Sequence, residues 1–201
     1  AIGSVVLQGA VNGLGSDIVA AQTAGSKAAQ FLSVPLESIG TAMTTYTSQN
    51  MGAKDLGRVN RGVNTALGIG CVYSVASFLI LRVLDKALIG LFLEPGETAI
   101  MANAQSFIFW NSVFYIPLAV LIIYRYTIQG LGFSGLAMFA GVAEMIARAM
   151  VGFLFVPLWG YFAACIANPV AWFFACFFLI PAYIVVFRKL KQEKARPHAN
   201  L

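Results

Sequence analysis

Residues 161–187 read YFAACIANPVAWFFACFFLIPAYIVVF and contain no charged side chain. A helix of about 20 apolar residues is long enough to cross the hydrocarbon core of a bilayer. The apolar residues follow one another without the alternation that is typical of a β-strand. Because a segment in lipid has to satisfy its own backbone N–H and C=O groups, this stretch is predicted to be a transmembrane α-helix.

Similar apolar segments occur along the whole chain. Hydrophobic residues make up 59% of the sequence and charged residues 10%, whereas about 25% of the residues in soluble globular proteins are charged. We predict one partial span at the start and five full spans, over residues 1–14, 16–49, 63–84, 98–124, 136–156 and 161–187. The predicted fold class is therefore all-α, a polytopic membrane helical bundle.

The positions of lysine and arginine indicate the orientation, because positively charged loops stay in the cytoplasm. Most of them lie beside span ends that share one side of the membrane, which we assign to the cytoplasm together with a basic tail, residues 188–201. They are Lys54, Arg58, Arg61, Arg125, Arg188, Lys189, Lys191, Lys194 and Arg196. The net charge of +5 is thus explained by topology, so we expect membrane lipids and no nucleic acid as partners.

The chain begins with Ala1 inside an apolar helical pattern, without the basic region and the cleavage site of a signal peptide. A segment of about 14 residues is short for a span. We therefore expect that part of this first helix lies upstream of Ala1.

The sequence shows no set of residues for enzymatic catalysis. Cys71, Cys165 and Cys176 lie within predicted spans without CxxC spacing, and the single histidine, His198, lies in the polar tail. Small apolar packing residues are the simplest interpretation of these cysteines. We predict no catalytic residue, no metal site, no cofactor and no enzyme activity.

The junction after the second span reads TTYTSQNMGAKDLGRVNRG over residues 44–62. Gly52 permits a turn, and the side chains of Arg58 and Arg61 share one helix face, where they can contact lipid headgroups. We predict a cytoplasmic loop whose notable residues are Gln49, Asn50, Gly52, Arg58 and Arg61. A solvated loop without a further role is the alternative.

This junction resembles the multidrug and toxic compound extrusion (MATE) transporters, in its QNMGA run at residues 49–53 and the basic segment that follows. Three further stretches are similar to the same family in the same order. They are IVAAQTA at 18–24 with Lys27, Pro35 and residues 40–42 downstream, RYTIQGLG at 125–132 with Ser134 and Gly135, and GVAEMIAR at 141–148.

The resemblance implies a twelve-helix transporter of two six-helix lobes, of which residues 1–201 are the second, C-terminal lobe, helices seven to twelve with the first truncated. It implies antiport driven by Na+ or H+, export of cationic drugs or toxic organic compounds by alternating access, and a multi-pass location in the cytoplasmic membrane of a bacterium with the C-terminus inside. The missing N-terminal lobe would be the partner of this chain. We expect the site of the coupling ion outside this fragment, and no transport by the fragment alone.

Charged residues inside the spans are the sharpest site candidates. Glu144 and Arg148 are four residues apart and share a helix face, and an unpaired charge at this depth costs about 3 kcal/mol or more. A brace in which they pair with each other, with Arg125 or with a lysine of the tail, a gate in the transport cycle, and ion coupling remain open. Lys27 either faces the cleft or extends toward an interface.

Polar and aromatic residues are expected to line the substrate cleft. The predicted lining residues are Gln8, Asn12, Tyr46, Asn111 and Tyr115. Gln8 and Asn12 are four residues apart on one helix face, and aromatic rings can bind organic cations. Hydrogen bonds between helices are the simpler interpretation for most of the uncharged polar residues in the spans, which are Gln8, Asn12, Gln22, Gln105, Asn111 and Asn168.

Two other functions remain open from the sequence. A flippase for lipids or lipid-linked sugars would need basic residues in its spans, and Lys27, Arg82 and Arg148 come closest to this requirement. A non-transporting scaffold or a decayed half-gene is the second alternative.

Overall fold

The computed structural model describes residues 2–94 and 96–195, so the predictions that fall on Ala1, Arg196 and His198 lie outside the described residues. The described chain folds into a helical membrane bundle. Its helices are α1 (Ile2–Asn12), α2 (Ser16–Gly52), α3 (Leu56–Gly90), α4 (Thr98–Val113), α5 (Tyr115–Gly130), α6 (Ser134–Met150), α7 (Val156–Trp159) and α8 (Tyr161–Ala195), with a π-helical turn, Val151–Phe155, between α6 and α7.

Three helical segments of the described residues are long and apolar enough to cross a membrane: Leu56–Gly90, Ser134–Trp159 and Tyr161–Lys194. The pair α4 and α5 meets the same criterion as one broken span, bent by 54°. The helix α2 is long enough at 37 residues but is too polar for this set. Its polarity has a structural reason that is described below.

The predicted span over residues 98–124 consists of two helices, because the chain breaks at Phe114 between α4 and α5. Pro117 lies in the first turn of α5. A proline ring clashes with the carbonyl four residues earlier, here that of Val113, and has no N–H to donate. The backbone N–H of Phe114 instead donates to the carbonyl of Asn111 at 3.1 Å.

The predicted cytoplasmic loop is shorter than expected, and this prediction needs correction. Gln49, Asn50 and Gly52 lie in the last turn of α2, whereas Arg58 and Arg61 lie in the first turns of α3. Only residues 53–55 connect the two helices.

The turn after α2 is made by Lys54 rather than by Gly52, because Lys54 has the positive φ of 55°. The N–H groups of Lys54 and Asp55 donate to the carbonyls of Met51 and Asn50, each at 2.9 Å. This pattern is a Schellman helix end, in which glycine is the usual left-handed residue. The carboxylate of Asp55 then caps α3 by accepting from the N–H of Arg58 at 3.0 Å.

Contrary to the sequence prediction, Arg125 does not lie beside a span end. Arg125 lies inside α5, and the turn comes later, at residues 131–133, where Gly132 has a φ of 92°. The predicted tail is helical as far as Ala195, because α8 continues beyond the last apolar residues.

Small residues bring α2 close to its neighbours. Ala21, Ala24, Gly25 and Ala28 are buried along one face of α2, and a Cβ at Gly25 would lie 3.1 Å from the carbonyl oxygen of Ala104 in α4. Close approach through small residues is a common way to pack helices in lipid. The opposite face of α2 is thereby directed away from α4.

Candidate functional site

An open cavity of about 520 Å³ lies between the helices, and residues of α1, α2, α4, α5, α6 and α8 line it. Much of its wall comes from α2, through Gln22, Thr23, Ser26, Lys27, Gln30, Ser33 and Glu37. These residues recur at intervals of three or four, so they form one polar face of the helix. The helix α2 is therefore more polar than the other spans because one of its faces lines the cavity.

The other helices contribute both polar and aromatic groups to this cavity. They are Gln8, Phe107, Asn111, Tyr115, Leu118, Arg148, Asn168 and Trp172. The hydroxyl of Tyr115 donates to the carbonyl of Ala29 at 3.1 Å and so fixes α5 against α2. The rings of Tyr115 and Trp172 lie 6.3 Å apart between centroids, which gives the cavity an apolar side.

Behind this wall lies a buried charge network around Glu144, whose exposed fraction is 7%. One carboxylate oxygen of Glu144 accepts from Arg125 of α5, and the other accepts from Arg148 of its own helix at 3.0 Å. Both arginine side chains are largely buried. A buried carboxylate is tolerated when it is paired in this way.

The network continues through amide side chains to two further helices. The Nε of Arg148 donates to Asn168 of α8 at 3.2 Å, and Asn168 donates to Asn111 of α4 at 3.2 Å. Asn111 in turn donates to the carbonyls of Phe107 and Cys165. The chain of hydrogen bonds thus joins α4, α5, α6 and α8 around one carboxylate.

Two further charges line the cavity on α2. The Nζ of Lys27 lies 5.5 Å from the centroid of the Phe92 ring, a distance within the range of a cation–π contact. Glu37 accepts from the hydroxyl of Tyr126 at 2.9 Å. Lys27 and Glu37 are ten residues apart, which is about 15 Å along a helix.

Several predicted site residues meet at this cavity. Gln8, Lys27, Asn111, Tyr115 and Arg148 line it. Asn12 does not line it but accepts a hydrogen bond from Gln8 at 3.0 Å. Of the pairings considered for Glu144, those with Arg148 and with Arg125 are both present.

The prediction that Tyr46 lines the cleft is wrong. Its hydroxyl donates to the carbonyl of Arg58 at 3.1 Å, and its ring occupies the space beside Gly62 at the start of α3. Gly62 lacks a side chain that would displace the ring. Tyr46 therefore packs the ends of α2 and α3 against each other, away from the cavity.

The sequence interpretation missed most of the polar wall of α2. Thr23, Ser26, Gln30 and Ser33 are individually unremarkable, and the signal that identifies them is their shared helical face. For Gln22 and Asn168 the sequence favours hydrogen bonds between helices. Asn168 forms such bonds and also lines the cavity, whereas Oε1 of Gln22 is buried without a hydrogen-bond partner among the described residues.

The sequence profile of the MatE family matches residues 1–154, so this chain belongs to the MatE family. This match confirms the family that was inferred from the motifs at residues 49–62, 125–135 and 141–148. A curated relative, "Probable multidrug resistance protein YoeA" of Bacillus subtilis (strain 168), is 24% identical over 93 residues, which are 46% of this chain and 20% of the relative.

Two solved structures have the same fold. "Crystal structure of MATE in complex with MaL6" has a TM-score of 0.87 at 16% identity, over 95% of this chain and 44% of that chain. "Inward-facing conformation of a multidrug resistance MATE family transporter of the MOP superfamily" has a TM-score of 0.70 at 12% identity, over 98% of this chain and 48% of that chain. Residues 1–201 thus span less than half the length of these proteins.

Proposed function

We propose that residues 1–201 form the C-terminal lobe of a two-lobe exporter of drugs and other toxic organic compounds. The observation that carries this proposal is the cavity on the polar face of α2, in a chain of the MatE family. A missing N-terminal lobe would supply the opposite wall. The cavity would then be one half of the substrate cleft between the lobes.

Alternating access by rocking of the two lobes would require each lobe to keep its shape. The hydrogen bonds from Arg125 and Arg148 to Glu144, and onward to Asn168, connect helices on several sides of the cavity. We assign them the role of a brace within the lobe. Because both oxygens of Glu144 already accept from arginines, we place the Na+ or H+ coupling site in the N-terminal lobe.

The orientation proposed for this exporter follows the distribution of basic residues. Arg58, Arg61, Arg188 and Lys194 lie at one end of the bundle, since the Nζ of Lys194 donates to the carbonyl of Lys54 at 2.7 Å. We propose that this end and the C-terminus are cytoplasmic. The membrane would be the cytoplasmic membrane of a bacterium.

A dye-accumulation experiment tests the proposed function. The full-length native protein and the 201-residue chain would be produced at matched membrane levels in a bacterium that lacks its own multidrug exporters. We expect the full-length protein to lower the accumulation of fluorescent amphipathic dyes, and the 201-residue chain to leave it unchanged because half the cleft is missing. Separate addition of a protonophore and of a sodium ionophore identifies the coupling ion.

Two results would contradict the proposal. Accumulation equal to the empty-vector control for every dye would exclude an exporter of these compounds. Export by the 201-residue chain alone would exclude the two-lobe arrangement.

A further inference from the structure

The charges that line the cavity do not balance. Lys27, Glu37 and Arg148 contribute to its wall, and Arg148 already has Glu144 as its partner. Lys27 forms no ion pair within residues 2–94 and 96–195, and its Nζ lies over the Phe92 ring. With Arg125 and Glu144 behind the wall included, this region contains three basic side chains and two carboxylates.

The position of Lys27 leaves its charge available to a ligand. Its side chain is exposed on the cavity face of α2, and its Nζ lies beside Phe92, in the turn that follows α3. A negatively charged group that enters the cavity can therefore form a charge-assisted hydrogen bond with this ammonium group.

Arg148 can contribute to the same ligand. A guanidinium group has five N–H donors, and the described contacts of Arg148 use its Nε and one N–H of Nη2. The remaining N–H groups have no partner among the described residues, and the side chain lines the cavity. Arg148 can therefore donate hydrogen bonds to an oxyanion while it remains paired with Glu144.

We propose that this half of the cavity binds the anionic group of an amphipathic organic anion, with the Lys27 ammonium as its charge partner and Arg148 as a second donor. Trp172 and Tyr115 provide the apolar surface for the rest of the molecule. The inference rests on the proposed function, in which this cavity is half of a substrate cleft. If a substrate also carries a cationic group, the N-terminal lobe would bind that group.

The anionic group has two possible sources with the same chemistry. A dissolved compound brings a carboxylate, and a phospholipid brings a phosphate that reaches the cavity from the bilayer. Both carry an oxyanion on an apolar body.

A binding experiment with a matched pair of probes tests the inference. The purified full-length protein in detergent would be titrated with a fluorescent dye that carries a carboxylate and with the methyl ester of the same dye, which differs by that one charge. We expect the acid to bind at least roughly tenfold more tightly than the ester, a difference of about 1.4 kcal/mol. Lys27→Gln should remove this preference, whereas Lys27→Arg should keep it.

Arg82→Gln is the matched control. The guanidinium of Arg82 lies 5.2 Å from the centroid of the Phe109 ring, so it resembles Lys27 as a single basic group beside a phenylalanine. Arg82 does not line the cavity. We therefore expect the variant to bind both dyes like the wild type.

Equal affinity of the wild-type protein for acid and ester would overturn the inference, whatever the variants do. An unchanged preference in Lys27→Gln would overturn the role of Lys27. Competition by short-chain phosphatidylglycerol but not by phosphatidylcholine would identify a lipid phosphate as a ligand. A charge preference in binding without dye export from cells would contradict the exporter and leave the anion site supported.

Discussion

The buried network around Glu144 and the cavity face of α2 use charged residues in opposite ways. Glu144 is 7% exposed and both of its oxygens accept from arginines. Lys27 and Glu37 on α2 are exposed, and they lie too far apart along the helix to pair with each other. The charges of the Glu144 network are thus matched within the protein, whereas Lys27 and Glu37 have no ion-pair partner among the described residues.

The difference indicates what each region contributes. A buried ion pair is strongly coupled to stability, because removal of one partner leaves the other charge uncompensated. A charge that faces an open cavity is coupled weakly to stability and strongly to whatever enters the cavity. The two regions should therefore respond differently to the same substitution.

The largest expected effect follows from Glu144→Gln. This change leaves Arg125 and Arg148 buried without a carboxylate, and we expect a loss of about 3–5 kcal/mol of unfolding free energy. The matched control on the cavity face is Glu37→Gln, which still accepts from the hydroxyl of Tyr126 and should cost less than about 1 kcal/mol. Thermal unfolding of the purified full-length protein in detergent measures both. Equal losses in the two variants would remove the distinction between the regions.

A smaller effect is expected where α2 packs on α5. A Cβ at Gly130 would lie 2.7 Å from the carbonyl oxygen of Thr44 and 2.8 Å from the Cβ of Thr47. Gly130→Ala should therefore push α2 away and cost about 1–3 kcal/mol. The control is Gly141→Ala in α6, where a Cβ meets nothing within 4 Å, and alanine should stabilise that helix by about 0.5–1 kcal/mol.

The same unfolding assay decides between these expectations. If Gly130→Ala were as stable as the wild type, the C-terminal end of α2 would have room to move. The cavity face would then be less firmly positioned than the network behind it.

The smallest effect concerns a charge at the surface. The N–H of Arg58 lowers the pKa of Asp55 from its ordinary value of 3.8, and the positive charges of Arg58, Arg61 and Lys194 act in the same direction. The unfolded chain binds this proton more readily, so the contribution of Asp55 to stability is complete above about pH 4 and is lost as the pH falls further.

Asp55→Asn separates this contribution from the rest of the protein, since asparagine caps a helix without titrating at this pH. The difference in melting temperature between the wild type and this variant should shrink between pH 6 and pH 3. A constant difference would show that the charge of Asp55 plays no part in holding α3.

The sequence was sufficient for the helical membrane fold and for the pairing of Glu144 with Arg148, whereas Arg125 was one of two further partners that it left open. Uncharged segments such as residues 161–187 leave few alternatives in lipid, and an acid inside a span needs a partner close by. The spacing of Glu144 and Arg148 is set by the helix itself. These inferences depend on local helix geometry, or on the high free-energy cost of an unpaired charge or an unsatisfied backbone group in lipid.

Features set by tertiary packing were not accessible in the same way. Tyr46 is of a residue type that often lines binding cavities, but Gly62 of a neighbouring helix provides the space that its ring fills. Lys54 makes a turn that the sequence pattern assigned to Gly52, because hydrogen bonds to Met51 and Asn50 decide the helix end. The polar wall of α2 depends on which side of that helix faces α4.

The π-helical turn, residues 151–155, follows almost directly after Arg148. A π turn holds one residue more than an α-helical turn, which rotates everything beyond it by about 100° relative to an uninterrupted helix. Val156 is buried beyond this turn, and Val151 and Gly152 are buried within it. Loss of one residue in this segment would therefore return a regular helix with Val156 in place, whereas gain of another would displace Val156 from the core.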